Sequence, residues 1–164
     1  MLPCTMQRAL RHSGWYRLAY LVSALVAGCA PARAPGFVGS VQHADRLEVR
    51  PGIPRGEAPP EGVVRLHGEP FQDRFFDLSE DQRRELAVIL ADESTFEAHA
   101  DGKKCGGFHA DYAVQWKSEG RPYQVLLCFG CHEALSLGDG AERLNDLSDR
   151  GYERLARVLD AAGR

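Results

Sequence analysis

Residues 105–132, CGGFHADYAVQWKSEGRPYQVLLCFGCH, decide the fold, because this stretch doubles back on itself and gathers most of the chain's unusual chemistry. Tyr112, Val114 and Trp116 alternate with Ala113, Gln115 and Lys117, and Tyr123, Val125, Leu127 and Phe129 alternate with Gln124, Leu126 and Cys128. A period of two, in segments rich in aromatic and β-branched side chains, is the pattern of β-strands. Between the two runs, Ser118, Glu119, Gly120, Arg121 and Pro122 supply turn chemistry, so the stretch reads as a β-hairpin. If Lys117 faces Pro122, paired residue numbers sum to 239, which sets Asp111 opposite Cys128 and Phe108 opposite Cys131. Cys105 and His109, just ahead of the first strand, then approach Cys128, Cys131 and His132 at the exit of the second. The second strand is apolar on both faces, which predicts a central position in the sheet with cover on each side.

Working outward, two helices have clear start signals. Ser79 caps the first, Gln82 completes a capping box, and Glu80 and Asp81 suit its positive end, while Leu86, Ile89 and Leu90 form the apolar stripe. The second starts at Ser148, carries Tyr152, Leu155, Val158, Leu159 and Ala162 on one face, and ends at Gly163. Offset by 69 residues, Asp77-Leu78-Ser79 matches Asp146-Leu147-Ser148; duplication would produce this, and so would two well-capped amphipathic helices. Glu133 to Leu137 suits a third strand at least as well as a helix, because Gly138, Asp139 and Gly140 leave room for two turns at most. The predicted class is α+β: an antiparallel sheet of three to five strands, centred on residues 107–137, with packed helices at 79–91 and 148–162.

Toward the N-terminus the composition changes. Residues 30–62 hold Pro31, Pro35, Pro51, Pro54, Pro59 and Pro60 with five glycines, which predicts an extended tether over 29–62 and a globular domain over 63–164. Within the tether, residues 44–50 could add a short edge strand with Leu47 and Val49 on one face. Residues 1–28 have the grammar of an export signal: Arg8, Arg11 and Arg17 form a basic region, Leu18 to Ala27 a short apolar run, and small residues follow. Without this leader the chain keeps 17 Lys and Arg against 23 Asp and Glu, a net charge of about −6. So acidic a body, with no basic run, argues against nucleic acid and against electrostatic attraction to anionic lipid.

The run Leu25-Val26-Ala27-Gly28-Cys29 closely resembles the lipobox of bacterial lipoproteins. The resemblance covers residues 1 to about 30. It implies cleavage before Cys29, which becomes the mature N-terminus and carries fatty acyl chains, palmitate among them. Several such chains on one residue multiply the roughly 0.8 kcal/mol gained per buried CH₂ into lasting membrane attachment. Ala30 follows the cysteine where Asp would mark inner-membrane retention in enteric lipoproteins, so the resemblance implies the outer membrane.

Three explanations compete for the thiols and imidazoles. Cys128-Phe129-Gly130-Cys131-His132 matches C-x-x-C-H and so resembles c-type cytochromes, which would put thioether bonds to haem on Cys128 and Cys131 and make His132 the proximal ligand. The mature chain has no Met, leaving His109 or His99 as the other axial ligand. Alternatively, Cys105, Cys128 and Cys131 with His109 or His132 would form a Cys₃His zinc site. The third explanation is a structural disulfide from Cys105 to Cys128 or Cys131, leaving one thiol over; a thioredoxin-like redox pair is its variant. Asp101, Asp111, Glu133 and Asp139 read as solvated or capping carboxylates, and Ser136 lacks a nucleophile-elbow context. The pattern assigns a catalytic role to none of these residues. The expected function is a non-catalytic binding or structural module on the cell envelope, its protein or small-molecule partner unidentified. A haem electron carrier, a zinc-stabilised module and a thiol oxidoreductase stand as alternatives.

Overall fold

The computed structural model describes residues 36–103 and 105–163. Its elements run α1 (Phe37–Gln42), β1 (Glu48–Pro51), β2 (Val64–Leu66), β3 (Glu69–Phe71), α2 (Glu80–Ala91), β4 (Phe96–Ala98), β5 (Tyr112–Ser118), β6 (Arg121–Cys128), β7 (Glu133–Gly138), β8 (Ala141–Leu147) and α3 (Asp149–Ala162). The central hairpin takes the predicted register, with Lys117 opposite Pro122 and Tyr112 opposite Leu127. Both residues of its tight turn have positive φ, 52° at Glu119 and 76° at Gly120. That is the backbone a two-residue type I′ turn requires, and glycine adopts it without steric cost.

The same device recurs where β7 meets β8. Asp139 (φ 51°) and Gly140 (φ 71°) repeat the turn, so β5 to β8 form a continuous meander. The full sheet is antiparallel with order β1-β5-β6-β7-β8-β4. Six strands exceed the expected three to five, while the α+β class stands. The additional strands are weakly patterned: β4 is three residues long, and β8 is largely polar because little of it is deeply buried. As expected, β6 lies inside the sheet.

Side-chain alternation divides the sheet into two covered faces. Val49, Val114, Val125, Trp116, Leu127, Ala134 and Leu147 face the helices and form the main core with Leu86, Ile89, Leu90, Leu155, Val158 and Leu159. On the opposite face Ala113 and Leu126 pack under Phe71 of β3 and against Ala110. The helix starts match expectation: Ser79 and Gln82 close a reciprocal capping box, and Ser148 Oγ accepts the Gly151 N–H at 3.1 Å. Gly151 itself allows close packing, since a Cβ there would collide with the Thr95 backbone.

The tether boundary needs correction. Residues 37–51 belong to the body: Phe37, Val41, Leu47 and Val49 are all core residues, and β1 is an edge strand paired to β5. Composition averaged over thirty-odd residues concealed α1, and with it the packing of α1 and β1 into the body. Pro51 is tolerated because it ends an edge strand. Gly52 sits so close to Ala110 that no side chain would fit, so its role is packing as much as freedom. The expected strand over 44–50 corresponds to β1, with Leu47 and Val49 buried. The leader and Cys29 lie outside the described residues.

Candidate functional site

Antiparallel pairing lines up four residues in one row across the sheet: Cys128 of β6, Glu133 of β7, Asp146 of β8 and Glu97 of β4. Cross-strand partners project from the same face, so the row places three carboxylates and a thiol side by side. The row lies at the end of the sheet where β6 turns into β7, and the loop from β4 to β5 passes beside it. Gly106 (φ 81°) and Gly107 (φ 90°) bend that loop beside Cys105, and Arg55 donates to both of their carbonyls at 3.0 and 2.8 Å.

In this loop Cys105 is joined to Cys131 in a disulfide, with Cα atoms 5.4 Å apart. Of the pairings left open by the sequence, this is the one the fold makes. Among the described residues Cys128 is the remaining thiol, and it is buried. Burial pushes its pKa up, and the nearby Asp111 and Glu133 carboxylates push the same way against backbone hydrogen bonds from His109 and Cys131. Since the thiolate is the nucleophile, a buried Cys128 with a raised pKa is expected to react slowly in the native state. Iodoacetamide is therefore expected to leave it unmodified in buffer and to alkylate it in denaturant, as read by mass spectrometry of the peptide containing Cys128.

The histidines separate. His132 stacks on the Tyr152 ring of α3, with centroids 4.0 Å apart. His109 lies near Glu69, Nδ1 to Oε2 3.6 Å, with a buried Nε2 that has no hydrogen-bond partner among the described residues. Neither joins the thiols, so the expected Cys₃His set is not gathered. Among the described residues, the donor groups that do lie within 4.8 Å of one another are Cys105, Cys131 and Glu133, and His99, Glu133 and Asp146. Haem also fits poorly. The Cys131 sulfur is bonded to Cys105, Cys128 is buried, and C-x-x-C leads into a strand with no helix. The last point removes the thioredoxin-like geometry as well.

Of the four carboxylates read as solvated or capping, three behave so. Asp111 accepts the Phe129 N–H at 2.6 Å, Asp139 accepts from Arg121 and Tyr123, and Asp101 is exposed. Glu133 is the exception, with a side chain only 6% exposed. Around it stand His99, Lys103 and Asp146. Lys103 Nζ is 2.7 Å from Asp146 Oδ1 and donates to the Cys131 carbonyl at 3.1 Å, and His99 Nδ1 is 3.0 Å from Asp146. Burial works against the Asp146 charge, but hydrogen bonds from Lys103, His99 and the Ala100 N–H outweigh it and hold its pKa below the ordinary carboxylate value. This group escaped sequence reasoning, though a correct register for β8 would have exposed it, since it puts two acids face to face.

Elsewhere on the same face, an open groove of about 510 Å³ runs along Glu48, Arg50, Gln115, Gln124 and Leu137 beside Phe75. Ser136 is wholly buried, which removes it as a nucleophile. Among the described residues, no helix is long and apolar enough to cross a membrane. Comparison of the chain with protein-family models, with curated proteins and with solved structures gives no match.

Proposed function

We propose that the chain is a lipoprotein of the bacterial cell envelope, anchored through acylated Cys29 in the outer membrane, whose folded body is a non-catalytic binding or structural module. The observation that carries this reading is the Cys105–Cys131 disulfide in a body that follows a lipobox so closely. Disulfides persist in oxidising compartments and are rare where thiols are kept reduced. The leader and the bridge thus point independently to the same side of the inner membrane.

Cys29 precedes Phe37 by eight residues. Fully extended, they span at most about 28 Å. The body is then held close to the lipid surface. Gly36 lies against Asp139 and Tyr123, at the turn end of the meander, whereas the disulfide lies at the opposite end of the same strands. The Cys105–Cys131 end is accordingly the one free to meet a partner.

Fractionation of cells making Cys29→Ser tests this. The native sequence is expected in the membrane fraction, extractable by detergent, and the variant in the soluble periplasmic fraction or as an uncut precursor. Identical fractionation of the two would overturn the lipoprotein reading.

A further inference from the structure

We infer that His99, Glu133 and Asp146 form a binding site for one divalent transition metal, zinc by preference, which the Lys103 ammonium occupies in competition with the ion. The inference stands independently of the lipoprotein reading.

It begins with an electrostatic conflict. Glu133 and Asp146 are directly opposite across β7 and β8, and their side chains are 6% and 13% exposed. Like charges placed directly opposite in a sheet destabilise it, and burial removes the water that would screen them. Glu97, on the other side of Asp146, adds a third acid to the row. Against them, among the described residues, stands the positive charge of Lys103, with the His99 imidazole beside it. Two buried carboxylates need two positive charges for neutrality, and a divalent ion supplies both at one point.

The spacing suits such an ion. Zinc binds nitrogen and oxygen donors at about 2.0–2.1 Å, so two donors on a tetrahedral ion stand about 3.3–3.4 Å apart. His99 Nδ1 is 3.0 Å from Asp146 Oδ1 and 3.9 Å from Glu133 Oε1, distances that bracket this value. Glu133 is the second, independent indication. Its side chain is more than nine-tenths buried, yet the two cationic groups facing it among the described residues stand at 3.8 and 3.9 Å, beyond hydrogen-bond reach.

Lys103 marks where the ion would sit. Its Nζ contacts Asp146 Oδ1 and the Cys131 carbonyl and faces Glu133 Oε1, so one positive centre is already surrounded by three oxygens. A long flexible stem lets the ammonium swing out to solvent when an ion enters. The Cys131 carbonyl, released by Lys103, is then available as a fourth donor. Imidazole with two carboxylates selects zinc over calcium or magnesium, which prefer larger all-oxygen sets. The thiols are not needed, so the site is compatible with an intact disulfide.

Isothermal titration of zinc chloride into the untagged, oxidised full chain in detergent at neutral pH tests the inference, with near-ultraviolet circular dichroism to verify folding. One equivalent of zinc is expected to bind. Lys103→Met should tighten binding by about tenfold, because it removes a unit charge at contact distance. Glu133→Gln and His99→Gln should each weaken it by about tenfold or more. Binding that is unaltered in folded Glu133→Gln and His99→Gln overturns the site. So does failure of both the native chain and Lys103→Met to take up stoichiometric zinc, a result that does not depend on the carboxylate variants folding.

Discussion

Replacing Phe37 with alanine is expected to destabilise the protein by about 3–5 kcal/mol, the range for removing a large aromatic side chain from a packed core. Phe37 is 1% exposed and meets the rings of Trp116 and Phe96 edge-on, with centroids 5.1 and 6.4 Å away. The helix carrying it is six residues long, too short to persist alone, so tertiary contact holds it in place. Ser40 provides part of that contact by accepting the Trp116 Nε1–H at 3.1 Å while donating to the Phe37 carbonyl at 2.8 Å. Truncating Phe37 leaves a cavity against β5 and loosens the seat of α1. Urea unfolding followed by tryptophan fluorescence should show a large drop in midpoint. Pro59→Ala, in the exposed loop before β2, is the control and should change stability by about 0.5 kcal/mol or less. If residues 30–62 were merely a tether, Phe37→Ala would behave like the control.

Loss of the disulfide should cost nearly as much. Cys105 and Cys131 are 26 residues apart. A cross-link of that loop size stabilises by about 3.5 kcal/mol when reckoned from unfolded-chain entropy. The double variant Cys105→Ser/Cys131→Ser is the informative one, because it prevents Cys128 from pairing with whichever cysteine is left. Its unfolding midpoint should fall to that of the native protein under reducing conditions, and a reductant should then have no further effect on it. Equal stability of the native protein with and without reductant would show that the bridge contributes nothing. The size of the loss matters, since domains of this kind have only about 5–15 kcal/mol in total.

How far the sequence could be read depends on the range of the interaction behind each feature. The turn at Glu119-Gly120, the capping box at Ser79 and the side-chain cap at Ser148 are local, and each involves residues a few positions apart. Their register and boundaries followed from spacing alone. The short edge strand β4 and the polar strand β8 carry little pattern of their own. They are strands because β7 offers β8 an open row of hydrogen-bonding groups, and β8 offers the same to β4. The first ordered segment was hidden for a related reason: Pro and Gly density describes flexible chain well on average, but Phe37 and Val49 are held by Trp116 and Val114, more than sixty residues away.

The candidate site divides in the same way. That Cys105 would come near Cys131 was legible, because a single hairpin brings them together. Which cysteine would pair, and which would be enclosed, was not. Sequence spacing places a sulfur to within a few ångströms, whereas a covalent bond demands more. The grouping of Glu133 with Asp146, His99 and Lys103 needed three strands in register and a loop laid over them.

By itself, then, the sequence determined the hairpin and its register, the two long helices and the approach of Cys105 to the second strand's exit. All of these arise from neighbours in the chain or from one reversal of it. Tertiary structure alone decided that residues 37–51 join the core, that the sheet has six strands, that Cys131 and not Cys128 takes the bridge, and that two acids meet across β7 and β8 beneath a lysine. Each of these depends on residues far apart in sequence, whose energies become comparable only once the whole chain has closed around them.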